Sequence, residues 1–189
     1  MMNERTSQTY RRGFTLMELL VVIAIIGVLS TVVFASLGGA RAKARDARRL
    51  AEFRELEKAL ALYYLDAGSY PVTGTPSWYG SCPGATAGWG LFDRTTSGAN
   101  GWVPNLAPTY ISVLPLDPRP TNASAHCYIY RSNGAEYMLL AHGTVETHPT
   151  AATNPSPRPA YDGDATNCAG NENGYQKTFA RYTSGGMCW

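Results

Sequence analysis

Phe14-Thr15-Leu16-Met17-Glu18-Leu19-Leu20-Val21-Val22-Ile23-Ala24-Ile25-Ile26-Gly27-Val28-Leu29-Ser30-Thr31-Val32-Val33-Phe34-Ala35-Ser36-Leu37 holds 24 residues and a single charge, Glu18. As a helix it reaches roughly 36 Å, enough to cross a hydrocarbon core of about 30 Å with some tilt. It reads as a membrane helix. A carboxylate within such a span costs on the order of 2.5–3.5 kcal/mol to insert, so Glu18 is expected to face a partner rather than lipid. An acid in the first turn also suits the helix dipole, which is the plainer reading of the same residue.

The helical pattern continues past the apolar run. Leu50, Phe53, Leu56, Leu60, Tyr63 and Tyr64 recur at three- and four-residue spacing with Arg54, Glu55, Glu57 and Lys58 between them, as in a helix with one buried face. Ala67-Gly68 supplies the stop and Ser69-Tyr70-Pro71 turns the chain away. Phe14 to Asp66 would then form one helix of roughly 80 Å.

From Val72 to Pro108 the composition shifts to Gly, Pro, Ser, Thr and Trp, the signature of a long structured loop. Trp78, Trp89 and Trp102 are expected to anchor it on the helix rather than to bind sugar. Tyr110-Ile111-Ser112-Val113-Leu114 reads as a strand, ended by Pro115 and Pro118. Cys127–Arg131 and Glu136–Ala141 flank Ser132-Asn133-Gly134-Ala135, and the Asn-Gly pair predicts a hairpin. Thr144 to Pro159 carries four prolines and reads as a surface connection or spacer.

Arg11-Arg12-Gly13-Phe14-Thr15-Leu16-Met17-Glu18-Leu19-Leu20-Val21-Val22 resembles the class III signal of type IV pilins and type II secretion pseudopilins. The resemblance implies that a membrane-embedded prepilin peptidase cuts between Gly13 and Phe14 on the cytoplasmic side and methylates the new amine of Phe14. Glu18 becomes the fifth residue of the mature chain, where the family glutamate pairs with the N-terminal amine of a neighbouring subunit. Gly27 matches a helix-loosening glycine of the family, while Ala35 stands where a proline often follows. An ordinary secretory signal would lose its whole apolar segment at a small-residue site, and Ala35-Ser36-Leu37-Gly38-Gly39-Ala40 fits that pattern only loosely. Gly68-Ser69-Tyr70-Pro71, Leu114-Pro115-Leu116-Asp117-Pro118 and Tyr128 to Tyr137 further resemble the layout of the major pseudopilin of type II secretion.

The resulting expectation is an α+β, pilin-like fold with three parts. Residues 1–13 form a cleaved cytoplasmic leader. Residues 14–66 form the long helix, with 14–37 transmembrane, and residues 67–189 form a head built on a small antiparallel sheet. Loss of Arg5, Arg11, Arg12 and Glu4 with the leader leaves 13 basic and 13 acidic residues. A neutral chain has no global field to draw nucleic acid. Arg41, Lys43, Arg45, Arg48 and Arg49, relieved only by Asp46, form a local basic cluster. It is expected to meet solvent or lipid head groups, with subunit salt bridges and nucleic acid as lesser readings. Counted by Lys and Arg alone, that cluster outweighs the leader and would hold the C-terminal domain in the cytoplasm. The processing motif and four cysteines argue instead for a domain outside, in an oxidising compartment.

Four cysteines allow three pairings. The resemblance favours Cys168 with Cys188, because a C-terminal bridged loop recurs in pilin heads, which leaves Cys82 with Cys127. Their spacing is wrong for zinc. Asp162-Gly163-Asp164 resembles the start of a calcium loop, and major pseudopilins hold calcium in their C-terminal loops. Here the EF-hand glycine and terminal glutamate are misplaced, so a polar turn and no cofactor are expected. Asn122-Ala123-Ser124 fits a glycosylation sequon. His126, His142 and His148 are scattered, and no catalytic constellation is visible. The reading that follows is a non-enzymatic subunit of a type IV pilus (fimbrium), periplasmic or extracellular once assembled. Its partners would be other pilin subunits in a homopolymer, the prepilin peptidase, an inner-membrane assembly platform and, before assembly, membrane lipid. A pseudopilin of type II secretion is the alternative, and a membrane-tethered enzyme or sensor the third reading.

Overall fold

The structure, a computed structural model, describes residues 13–74, 78–82, 86–87, 90–119, 126–148, 153–157, 177–187 and 189. Trp89, Asn122, Asp162, Asp164, Cys168 and Cys188 lie outside these residues. The chain divides into two compact units, Met1–Ala40 and Arg41–Trp189.

Helix α1 runs Leu16–Ala67, within two residues at each end of the span its sequence predicts. It closes at Gly68, whose φ of 71° and N–H bond to the Tyr64 carbonyl at 2.9 Å form a left-handed cap that a glycine adopts without a Cβ penalty.

In the second unit, Phe53, Leu56, Ala59 and Leu60 are buried at helical spacing while Arg54, Glu55 and Lys58 are exposed. The head packs a sheet against that buried stripe. Its strands are β1 (Trp78–Gly80), β2 (Thr86–Ala87), β3 (Gly90–Leu91), β4 (Cys127–Ser132), β5 (Tyr137–His142) and β6 (Phe179–Tyr182), in the order β2-β3-β1-β4-β5-β6. The period of two in β4 and β5 sorts side chains between two layers. Tyr128, Tyr130, Tyr137, Leu139 and Ala141 join the helix-side core with Trp102, Leu106 and Phe179. Cys127, Ile129, Met138 and Leu140 point to the opposite face with Trp78, Cys82 and Ala180. β5 is therefore buried on both sides.

The hairpin forms where the Asn-Gly pair predicts it, with Ser132 opposite Tyr137 and Cys127 opposite His142. Asn133 Oδ1 accepts the N–H groups of Ala135 and Glu136 at 3.0 and 2.9 Å, and Gly134 takes φ 94°. This is an Asx turn combined with a glycine left-handed position.

Four expectations are corrected. The sheet is mixed, because β1 pairs with β3 in parallel. Residues 110–114 are not a strand: Tyr110 N–H bonds back to Leu106 O at 3.0 Å and Leu114 N–H to Thr96 O at 2.8 Å, so these two donors go to a local turn and to a distant loop rather than to a ladder. Of the tryptophans expected on the helix, Trp102 is there, fully buried, with its indole N–H donating to Pro115 O at 3.2 Å. Trp78 instead packs on the far face of the sheet. The described part of the 144–159 segment is no spacer. Asn154 donates to Thr178 O at 2.9 Å, and the Ser156 hydroxyl donates to Ala180 O at 2.5 Å, both along β6.

Cys82 and Cys127 are joined by a disulfide that closes 45 residues of chain.

Candidate processing and assembly site

Gly13 and Phe14 precede α1 in exposed, non-helical backbone, with Phe14 81% exposed. Thr15 then caps the helix. Its backbone N–H and its hydroxyl both donate to Glu18 Oε2 at 2.9 Å, and Glu18 N–H donates to Thr15 Oγ1 at 3.2 Å. This reciprocal capping box satisfies two helix-start donors that the chain cannot bond internally. Glu18 therefore has a local task in the isolated chain, as the plainer sequence reading has it, and its carboxylate is held beside the backbone that leads into Gly13-Phe14.

Among the described residues, the apolar side chains in the first half of the helix that follows are exposed. Its large hydrophobic side chains from Leu16 to Phe34 are 46–87% exposed, and the helix is long and apolar enough to cross a membrane. A surface of that extent needs lipid or other chains around it.

In the head, three of the five cations of the basic cluster are paired within the molecule, and the expectation of a solvent- or lipid-facing patch is corrected for the two that are drawn inward, Arg45 and Arg49, while Arg48 stays exposed. Arg49 is fully buried. Its Nε and Nη2 donate to the two carboxylate oxygens of Asp117, each at 2.8 Å, and its Nη1 reaches Asp46 at 2.7 Å and Glu146 at 3.0 Å. Arg45 makes a second fork to Glu146 at 2.8 and 2.6 Å, and Arg48 pairs with Glu52 at 2.7 Å. Asp46 also accepts the backbone N–H groups of Glu146 and Thr147 and the Thr147 hydroxyl.

Burial alone would make the Arg49 guanidinium easier to deprotonate. The Asp117 bonds and charge, followed by Glu146 and Asp46, outweigh it and hold the group firmly cationic. The Arg45 hydrogen bonds, opposed by burial and aided by Arg49 and Arg119, bring Glu146 down to about 2. Next to this network the Tyr128 hydroxyl donates to Glu52 at 2.5 Å, and burial, then the Glu52 charge, push its ionisation well above the ordinary phenol range.

Sequence reasoning missed this network. The one signal for it was Asp46, a lone acid among five cations, together with Asp117 set between prolines.

With this geometry in view, comparison with known proteins bears on residues 8–34, which match the family described as "Prokaryotic N-terminal methylation motif". The chain is 46% identical over 63 residues to the type II secretion system core protein G of Escherichia coli K12, covering 33% of this chain and 43% of that protein. It is 41% identical over 61 residues to the core protein G of Vibrio cholerae, covering 32% and 42%. It is 39% identical over 77 residues to the type IV major pilin protein PilE1 of Neisseria gonorrhoeae, covering 40% and 46%. The chain thus carries a prokaryotic N-terminal methylation motif and, over 32–40% of its length, is similar to type II secretion system core protein G and a type IV major pilin. It spans less than half the length of each of these relatives. No solved structure matches it.

Proposed function

We propose that this protein is a structural subunit, not an enzyme, of a type IV pilus-like filament, matured by a prepilin peptidase and polymerised through its apolar N-terminal helix. One conjunction carries the reading: the methylation motif over residues 8–34 runs into the first half of a helix, where the large apolar side chains are exposed among the described residues. Cleavage after Gly13 would free the amine of Phe14. Glu18 would then be the acid that a neighbouring subunit's amine neutralises within the apolar environment. The helix would anchor the subunit in the cytoplasmic membrane with Arg41–Trp189 outside, until assembly exchanges lipid for neighbouring helices.

A pseudopilin of a type II secretion system is the second reading, favoured by the 41–46% identity to core protein G in two organisms. Shearing cells and imaging the released material, followed by mass spectrometry of its subunits, separates them. A pilus subunit is recovered in surface filaments. A pseudopilin is not, and its deletion instead blocks release of secreted proteins.

A further inference from the structure

Five cations follow the apolar run within nine residues, and the structure divides them into two groups. Arg45, Arg48 and Arg49 are committed to Glu146, Glu52 and the Asp46–Asp117–Glu146 set. Arg41 and Lys43 are exposed and have no ion pair among the described residues. The acids nearest them in sequence are already taken, Asp46 buried under Arg49 and Glu52 held by Arg48 and Tyr128. The free positive charge of this segment is therefore concentrated on the two residues that stand closest to the apolar run, four and six positions after Leu37.

We propose that Arg41 and Lys43 bind anionic phospholipid head groups of the leaflet from which the helix emerges. The inference rests on the membrane-inserted subunit proposed above. A head-group layer is about 5–7 Å thick on each side of the hydrocarbon core, and at about 1.5 Å per residue Arg41 lies about 6 Å and Lys43 about 9 Å past Leu37, so Arg41 stands within that layer and Lys43 just beyond it, its long side chain able to reach back to the phosphates. Long Lys and Arg side chains at a span's end extend toward the interface with little strain. Paired cations would add nothing there, which is why the partition matters. Arg48, although largely exposed, already spends its charge on Glu52.

The test uses the mature full-length chain in vesicles of phosphatidylcholine containing a minor fraction of phosphatidylglycerol, with spin-labelled tracers of each lipid reporting the shell around the protein. The wild-type chain should select phosphatidylglycerol, by up to about fivefold for each free cation, and lose the preference in high salt. Arg41→Gln with Lys43→Gln should bring the two lipids to parity. Arg41→Lys with Lys43→Arg should keep the preference, since charge is what is read, and Arg48→Gln should also keep it. No selectivity in the wild type, or selectivity that survives the double glutamine change, overturns the proposal. Loss of filament incorporation without any lipid preference would assign the two cations to acids of a second subunit instead. A chain that pellets rather than floats with the vesicles overturns the membrane-subunit reading itself, an outcome visible before any lipid preference is measured.

Discussion

Arg49 and Asp117 form a two-pronged ion pair at 2.8 Å per prong, with the arginine side chain wholly buried and the aspartate 6% exposed. A guanidinium removed from water is tolerable only when its donors are met by carboxylates in good geometry, and here three acids meet it. The pair ties the middle of α1 to the segment that follows Leu114, while Asp46 and Arg45 tie the same turns to Glu146 and Thr147.

Removing the cation should therefore cost far more than a surface pair would. Arg49→Met leaves the Asp46 and Asp117 carboxylates buried without their shared cation, their remaining backbone and hydroxyl donors notwithstanding, and should destabilise a soluble 41–189 fragment by about 3–5 kcal/mol. Arg48→Met, at an exposed pair, should cost no more than about 1 kcal/mol. Chemical denaturation of the two variants side by side checks the contrast.

Acid should act through Glu146. Its folded carboxyl is depressed to about 2 from an ordinary value of 4.5, chiefly by Arg45. A depressed acid stabilises the fold above its unfolded pKa, and that stabilisation is lost as pH falls through the folded one. The melting temperature of the fragment should accordingly fall between about pH 5 and pH 2, and Glu146→Gln should flatten that part of the profile.

The Cys82–Cys127 bridge closes 45 residues, for which chain-entropy reasoning gives about 4 kcal/mol. Cys82→Ser with Cys127→Ser should lower the denaturation midpoint accordingly. Peptide mapping without reductant should find this bridge and, as the pilin-type loop implies, Cys168 linked to Cys188.

Processing and assembly should separate genetically. Gly13→Val, which puts a branched side chain at the scissile position, should leave an uncut precursor, while the wild type gives an intact mass beginning at methylated Phe14. Glu18→Ala should still insert and be cut, yet fail to enter filaments. Thr15→Val removes the capping hydroxyl while keeping the acid, and should cost only about 1 kcal/mol at the helix start. If both variants assemble equally well, Glu18 is a helix cap and nothing more.

The long helix, its glycine stop and the hairpin at Asn133-Gly134 were legible because each depends on local chemistry: apolar periodicity, a left-handed glycine, an Asx turn. The methylation motif was legible for the same reason. What could not be read was non-local. Arg49 looked like its exposed neighbours because its partners Asp117 and Glu146 lie 68 and 97 residues away. Tyr110–Leu114 carried strand-forming residues but found no ladder, since its donors were claimed by Leu106 and Thr96. Strand β6 went unseen because its order depends on pairing with β5. The parallel β1–β3 pairing lay within a segment whose glycines and prolines signalled only a loop.

The outer margin of β6 has a consequence for crowded subunits. Ala180 N–H donates to Ser156 O at 2.8 Å, the Ser156 hydroxyl donates to the Ala180 carbonyl, and Pro157, which has no N–H to offer, forms the isolated bridge to Phe179. The opposite margin is β2, Thr86–Ala87, which pairs with β3. Among the described residues, neither border shows a long row of open backbone groups onto which a foreign strand could template, the route by which concentrated β proteins coalesce into amyloid-like deposits. Were the heads packed in a filament as proposed, borders of this kind would work against fusion through their sheets and leave the choice of neighbour to the helix.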